Sequence, residues 1–533
     1  MKSGKKPLCV AAFSLSLVAI MLAQLLRVAL FVADHPVPFD ADEANHASRG
    51  LQVYDAILSG GSGLWSAIRD QAFYPPLHSL LVAASYITGG EPSLTASRVC
   101  SLVPLAVGLG LLAIAAFRAA RDDLAPDTSS AACASLFAVM LGASSPLILA
   151  NSVLCMPEAL GFCLSACLLL FCTRLDRAGT LRPGDMGSLA VLAFALGLVK
   201  YAYAFFTVPA IVAAIVLWRP RASLSLRHAA LFVASFFALV ALWCAVSSPE
   251  SMWHYLFGHE ERHFVVIGKK LLFHPSTFVS HGTLSPALSF AAVALAAFGF
   301  VRHRGAFAAK LSLFAALAPH VILGFSEEQG SRHMVPSLVF VWYLAGLGLA
   351  SFLGLMPKRP RALVAFLPAA GVAALLLVST QPLLSFIEKK LETNEDYMAV
   401  SVDMVEGLRC ATPILMLGRG DGFSAQWVRW YLAVRCSKRL SEVVVDRYPF
   451  LTATHEKSIR TGAPIARAYT DPSFPREPLS AVVDTGYYRG LIAFSQLGDK
   501  GEFKKLGLPE LREKHPSQLS KHGDRRLLIM RLP

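Results

Sequence analysis

Charge is scarce in this chain. Asp, Glu, Lys and Arg make up 16% of its 533 residues against 55% hydrophobic residues, and the mean hydropathy is +0.52. A water-soluble protein of this length needs more charge to coat its surface, which excludes a wholly soluble fold. The ten cysteines lack metal-ligand spacing. Most, such as Cys133, Cys155, Cys163, Cys167 and Cys172, lie in or beside apolar runs, where a thiol reads as a small buried side chain. Repeats and low-complexity segments are also lacking. What the chain does have is a net charge of +13. Its basic residues sit in short loops between apolar runs, where lipid headgroups and membrane topology account for them, so nucleic acid is not a partner.

The apolar runs approach the length that spans a hydrocarbon core, about 20 residues. Eleven spans are predicted, near 8–33, 96–118, 131–150, 157–173, 187–201, 203–217, 228–247, 284–301, 308–325, 333–356 and 361–383. The basic start, with Lys2, Lys5 and Lys6, precedes an apolar stretch that is long for a signal peptide and lacks a small-residue cleavage site, so an uncleaved first helix is expected. With the N-terminus in the cytoplasm, alternate loops collect the positive charge: Arg118 and Arg121; Arg174, Arg177 and Arg182; Arg219, Arg221 and Arg227; Arg302, Arg304 and Lys310; Lys358, Arg359 and Arg361. The opposite loops, such as 151–156 and 201–203, carry almost none. That asymmetry is the positive-inside pattern. It places a first loop (34–95), a mid-chain loop (248–283) and a tail outside the cytoplasm. Residues 75–89 are apolar but short and opened by prolines. Counting them as a span would invert every later loop, so they are expected to lie in the outer interface. The division is therefore a membrane body over 1–383 and a soluble unit over 384–533. Strand-like runs at 413–417, 440–445, 480–483 and 527–530, with a helical pattern at 423–435, give the tail an α/β character. Cys410 and Cys436 share it, and spacing alone leaves them as a disulfide or as two thiols.

Ionisable groups beside spans are costly and so are functional candidates. Asp40, Asp42 and Glu43 follow the first span; they could bind a divalent cation, supply a base, or start a helix. The stretch from Tyr74 to His78 opens the interfacial segment. Arg98 lies one turn into the second span, either as a functional cation or snorkelling to the headgroups. Glu158 follows Pro157 at the outer start of the fourth span, where ordinary helix-start chemistry also fits. Lys200 ends an apolar run on the side where positive charge is disfavoured. Glu327, Glu328, Arg332 and His333 share a short outer link. His254, His259 and His263 share the mid-chain outer loop, where the His-x-x-x-His spacing of His259 and His263 binds zinc only if helical and only with further partners. Together these groups put carboxylates and cations on one face, an arrangement suited to transfer chemistry on an anionic lipid.

The ordered set Asp42-Glu43-Ala44, Tyr74-Pro75-Pro76-Leu77, 96–101 with Arg98, Pro157-Glu158, 197–201 with Lys200, and 332–336 with Arg332 resembles the GT-C superfamily of integral-membrane glycosyltransferases. Within it the match is to the branch of protein O-mannosyltransferases, lipid A aminoarabinose transferases and Rgt-type lipopolysaccharide core transferases, strongest over 30–205. Pro75 stands where the lipid A enzymes have lysine, His333 replaces an aromatic residue, and the tail matches no assigned module. The resemblance implies a GT-C fold in a bacterial inner membrane, with the site and the C-terminal unit on the periplasmic face. It implies a polyprenyl-phosphate sugar as donor and a lipid, glycan or protein acceptor such as lipid A or the lipopolysaccharide core, reached by one inverting displacement. Carried over by residue, Asp42 is the general base and Glu158 the second acid, while Arg98, Lys200 and Arg332 hold the donor phosphate. Asp40, Glu43, Tyr74 and His333 are additional site residues. Some relatives use a divalent cation and others none, so no cofactor is fixed. Three other readings compete. A transporter or flippase would show midplane charges and pseudo-repeats, an O-antigen-type polymerase or ligase a large outer loop late in the chain, and a non-catalytic scaffold no dependence on Asp42 or Lys200.

Overall fold

The computed structural model describes residues 19, 22–23, 25–69, 75–123, 128–218, 222–247, 272–324, 330–356, 380–417, 423–447, 479–484, 486–496, 508–522 and 525–533. Helix α1 (25–34) leads to α2 (Ala41–Leu58), α3 (Leu64–Arg69), α4 (Pro76–Gly89), α5 (Leu94–Asp123), α6 (Thr128–Ala143), α7 (Pro146–Ser152), α8 (Glu158–Ala178), α9 (Pro183–Val199), α10 (Tyr201–Trp218) and α11 (Ala222–Val246). Then come α12 (Phe273–His281), α13 (Pro286–His303), α14 (Phe307–Gly324), a 3-10 turn (Ser331–Met334) and α15 (Val335–Leu355). Seven of the described helices are long and apolar enough to cross a membrane. The protein is a polytopic α-helical membrane protein. The first expected span is described only at its C-terminal end, and 361–379 of the last lie outside the described residues.

One expected span needs correction. The run at 131–150 is not a single rod but α6 and α7, bent by 60°. Pro146 holds the residue before it out of the helical region, and Ser145 takes an extended backbone whose hydroxyl accepts from the Ile148 N–H as an N-cap. The break turns the chain so that 153–157 forms a loop delivering Glu158 to the start of α8.

The helix ends alternate as the basic-loop pattern requires. At one end of the bundle Asp176, near the end of α8, accepts from the backbone of Phe307 and Ala308 at the start of α14, and His303 of α13 lies 3.0 Å from Ser351 of α15. At the other end the start of α8, the end of α9 and the turn before α15 come together around Glu158, Lys200 and Arg332. The short α4 packs on α2 rather than crossing the bundle. Gly50 makes that approach possible, since a Cβ there would stand 2.2 Å from a Val82 methyl.

After α16 (Thr380–Asn394) and α17 (Asp396–Leu408), the chain builds a mixed five-stranded sheet in the order β2-β1-β3-β5-β4. The strands are β1 (Ile414–Leu417), β2 (Val445–Arg447), β3 (Gly490–Gln496), β4 (Ser517–His522) and β5 (Arg525–Arg531), with α18 (Ala425–Arg435), α19 (Leu479–Asp484) and α20 (Leu508–Lys514) between. Strand β1 is parallel to β2 and β3, while β5 is antiparallel to β3 and β4. Leu527 and Ile529 face one apolar cluster, and Leu528 and Met530 face another. Burial on both faces explains the unbroken apolar run. Cys410 and Cys436 form a disulfide, closing the α17–β1 corner onto the end of α18.

Two strand expectations fail. Residues 480–483 are helical within α19, and their apolarity comes from packing on the sheet, which a four-residue run cannot distinguish from strand burial. At 440–445 a 3-10 turn occupies Leu440–Glu442 and pairing begins only at Val445. The sheet unit sits directly on the first loop. Its core cluster continues from Trp427 and Phe494 into Ala44, Leu51 and Tyr86. Polar ties reinforce it: the Leu440 N–H donates to Asp55 (2.8 Å), and Asn394 donates to the carbonyls of Pro38 and Phe39.

Candidate active site

The three acids after the first span divide their work by geometry. Asp40 is the N-cap of α2: its carboxylate accepts from the Glu43 N–H (3.0 Å), while Glu43 reaches back to accept from the Phe39 N–H (2.8 Å). Glu43 is fully buried against Arg98, whose Nε and Nη2 donate to its two oxygens at 2.7 and 2.8 Å. Asp42 points the other way and pairs with Arg332 Nη2 at 2.5 Å. The three carboxylates therefore do not converge on one point. The Asp42 side chain keeps 36% exposure, Asp40 is partly buried and Glu43 is fully buried.

Arg98 is placed differently from the expectation that it holds the donor phosphate. It is buried, and besides Glu43 it donates to the carbonyls of Val37 (2.7 Å) and His35. Those bonds fix the entry of α2 and leave Arg98 orienting Glu43, not facing the Asp42 side. Its truncation would strand a buried carboxylate. Arg98→Ala is accordingly expected to destabilise the protein by about 3–5 kcal/mol, whereas Arg98→Met with Glu43→Met should recover only part of that loss, because the Phe39 and Cys155 N–H groups and the Val37 and His35 carbonyls also lose their partners. Thermal unfolding of the purified protein in detergent measures both.

Arg332, Lys200 and Glu158 do gather near Asp42. Lys200 has an extended backbone at the single-residue link between α9 and α10, which turns its side chain to Glu158 (Nζ to Oε1, 3.1 Å). Glu158 is buried at the first turn of α8, and its Oε2 has no hydrogen-bond partner among the described residues. Arg332 and His333, in the 3-10 turn, lie within electrostatic reach of Glu158, and Lys200 and Arg332 of Asp42. Two acid–base pairs, Asp42–Arg332 and Glu158–Lys200, thus share one site. Tyr74, Glu327, Glu328, His254, His259 and His263 lie outside the described residues. Sequence reasoning missed His46, buried one turn beyond Asp42 on the same face of α2 and electrostatically linked to it; the i, i+4 spacing is the signal that could have found it. It also missed His274, a buried histidine of α12 beside His320 (ring centroids 6.4 Å) and His333.

The carboxyls differ in acidity. Burial, reinforced by Asp42 and Glu43, pushes Asp40 up to about 6 against the pull of the Glu43 N–H. Burial would also raise Asp42, but the Arg332 charge and hydrogen bond, helped by His46 and Lys200, hold it below the ordinary carboxylate range. The folded state therefore keeps a proton on Asp40 between about pH 4 and 6 that the unfolded chain has lost, so this group's contribution to stability falls as pH rises through that window. Asn caps helices as well as Asp. Asp40→Asn should then gain stability relative to the wild type as pH rises from 4 to 7, read as the difference between their unfolding midpoints across that range. A difference that does not change with pH would contradict the burial of this charge.

No family model and no curated protein matches the chain by sequence. Solved structures do match. ArnT from Cupriavidus metallidurans bound to undecaprenyl phosphate superposes with a TM-score of 0.66 at 13% identity, covering 96% of this chain and 97% of that one. The chain has the GT-C fold. The apo form of the same ArnT gives 0.64 at 14% identity over the same shares. The Archaeoglobus fulgidus oligosaccharyltransferase in complex with zinc and sulfate gives 0.51 at 14% identity, covering 95% of this chain and 71% of that one. At these identities the GT-C likeness fixes the fold and its order of elements. The chemistry rests on this chain's own residues.

Proposed function

We propose that this protein is a glycosyltransferase that moves a sugar from a polyprenyl-phosphate donor to an acceptor hydroxyl at the extracytoplasmic face of a bacterial inner membrane. The observation that carries this reading is the meeting of Asp42, Arg332, Lys200 and Glu158, drawn from α2, the 3-10 turn, the α9–α10 link and α8, beneath the sheet unit. The GT-C fold supports it, as does the undecaprenyl phosphate that ArnT binds.

In this mechanism Asp42 takes the proton of the acceptor hydroxyl as its oxygen attacks the anomeric carbon. The bond from that carbon to the phosphate oxygen breaks, and the polyprenyl phosphate leaves with the electron pair. One displacement inverts the anomeric centre. Arg332 and Lys200 hold the charge that grows on the departing phosphate. A phosphate leaves without protonation, so no general acid is needed. Before the donor arrives, each cation is neutralised by a carboxylate. A lipid phosphate competes for both, and drawing Arg332 from Asp42 raises the basicity of that carboxylate when the donor is in place. Glu158 orients Lys200 with one oxygen and offers the other to a substrate hydroxyl. Arg98 and Glu43 hold the base-bearing helix. Asp40 caps it, and His333 lines the Glu158 side.

The division of labour is part of the same proposal. Residues 1–383 form the donor-binding body, and 384–533 with 34–95 shape the acceptor side. Mass spectrometry of envelope glycans and lipids from a strain lacking the protein tests the reading. A sugar missing from lipid A, the lipopolysaccharide core, another glycan or a protein is expected and would name the acceptor. An unchanged envelope under conditions where the protein is expressed would contradict it.

A further inference from the structure

We propose that His78, Cys100 and Cys155 together bind one zinc-class divalent ion beside the Glu43–Arg98 pair. The three residues come from α4, the first turns of α5 and the loop before α8, separated by 22 and 55 positions, which is why no spacing motif announces them. All three are buried, and one donor atom from each lies within 4.8 Å of the others. His78 Nε2 is 4.0 Å from Cys100 Sγ. In a zinc site with Zn–S near 2.3 Å and Zn–N near 2.0 Å, tetrahedral donors stand roughly 3.5–3.8 Å apart. The donors therefore need to draw together by up to about 1 Å for the cluster to close.

Two further points favour a ligand over plain core packing. The donors are soft, two sulfurs and an imidazole, a set that selects zinc-like ions over magnesium or calcium. Charge also balances: on binding, each thiol releases its proton to water, and two thiolates with one divalent ion and a neutral imidazole form a unit of zero net charge, the form that burial tolerates. The second ring beside the cluster is His46, edge-on to His78 at 5.1 Å between centroids. It sits one turn beyond Asp42. The Cys155 N–H donates to Glu43 Oε1 (2.9 Å). An ion here would pin α4, α5 and the 153–157 loop together, and so hold the elements that present Asp42 and Glu158.

The test uses the full-length protein, purified in detergent without chelators and with any affinity tag removed. Metal analysis should find about one zinc per chain, directly or after incubation with zinc and dialysis, falling roughly tenfold or more in Cys100→Ser, Cys155→Ser and His78→Ala. Cobalt loading of the wild type should give the near-ultraviolet thiolate-to-cobalt charge-transfer band, a readout that does not depend on the variants folding. Three results would overturn the proposal: a wild type that takes up no zinc and shows no such band, zinc retained in full by both cysteine variants, or a Cys100–Cys155 disulfide found by peptide mass spectrometry under non-reducing conditions.

Discussion

Replacing Asp42 with Asn is expected to lower sugar transfer by about 10²–10⁴-fold, the usual cost of losing a general base, while the protein still inserts and folds. The structure explains why fold and activity should separate here. The cap of α2 belongs to Asp40, and the buried clamp belongs to Glu43 and Arg98. Asp42 contributes only a partly exposed ion pair with Arg332, and such pairs are worth about 0–1 kcal/mol. Asn keeps the size and can still accept from Arg332, but it cannot take a proton. The unfolding midpoint of Asp42→Asn should match the wild type within a few degrees in the same detergent. Full activity with an unchanged midpoint would remove Asp42 from the mechanism.

Arg332→Gln should show the second large effect, a fall of about 10²–10³-fold in turnover on the lipid donor, the size seen when one group that stabilises developing negative charge is removed. Two consequences oppose each other. Losing Arg332 frees Asp42 from the charge that depresses its pKa, which makes it a stronger base. It also leaves the departing phosphate with Lys200 alone, and Lys200 is shared with Glu158. Proton-transfer rates rise only fractionally with base strength, so the electrostatic loss dominates. The change in acidity remains visible. The acid limb of the wild-type kcat/KM profile lies at low pH because Asp42 stays ionised, and in Arg332→Gln it should move to higher pH. A variant that keeps its rate within twofold and its pH profile unchanged would place Arg332 away from the reacting groups.

Much of the architecture was legible in the sequence because a bilayer enforces simple rules. Span lengths, and basic residues alternating between loops, follow from the cost of exposing polar backbone and charge to hydrocarbon. The bend after α6 was legible in principle from Ser145-Pro146, an N-cap and N1 pair inside an apolar run, but hydropathy outweighed it. The site was legible in part. Lys200 stood out because a cation ends an apolar helix on the side that avoids them, and its extended backbone turns it inward to Glu158. Asp40, Asp42 and Glu43 are equivalent in sequence. Only the direction in which each side chain leaves α2 makes one a cap, one a buried clamp and one a partly exposed carboxylate paired with Arg332. The burial of Arg98 was equally hidden, since a cation one turn into a span reads the same whether it meets a phosphate or a carboxylate. Long-range groupings are the hardest to see: His78, Cys100 and Cys155 meet only after three segments pack, and the sheet unit joins the first loop through Asp55, Asn394 and a shared core.

The central claim is that Arg332 and Lys200 form a binding site for a lipid phosphate. Native mass spectrometry of the full-length protein titrated with a polyprenyl phosphate tests it without any acceptor. The wild type should bind one lipid. Lys200→Gln and Arg332→Gln should each weaken binding by roughly tenfold, as expected for losing one charge-assisted contact, and the double variant should bind no more than a neutral polyprenol does. Equal affinity of the wild type and the double variant for the phosphate lipid would contradict the account.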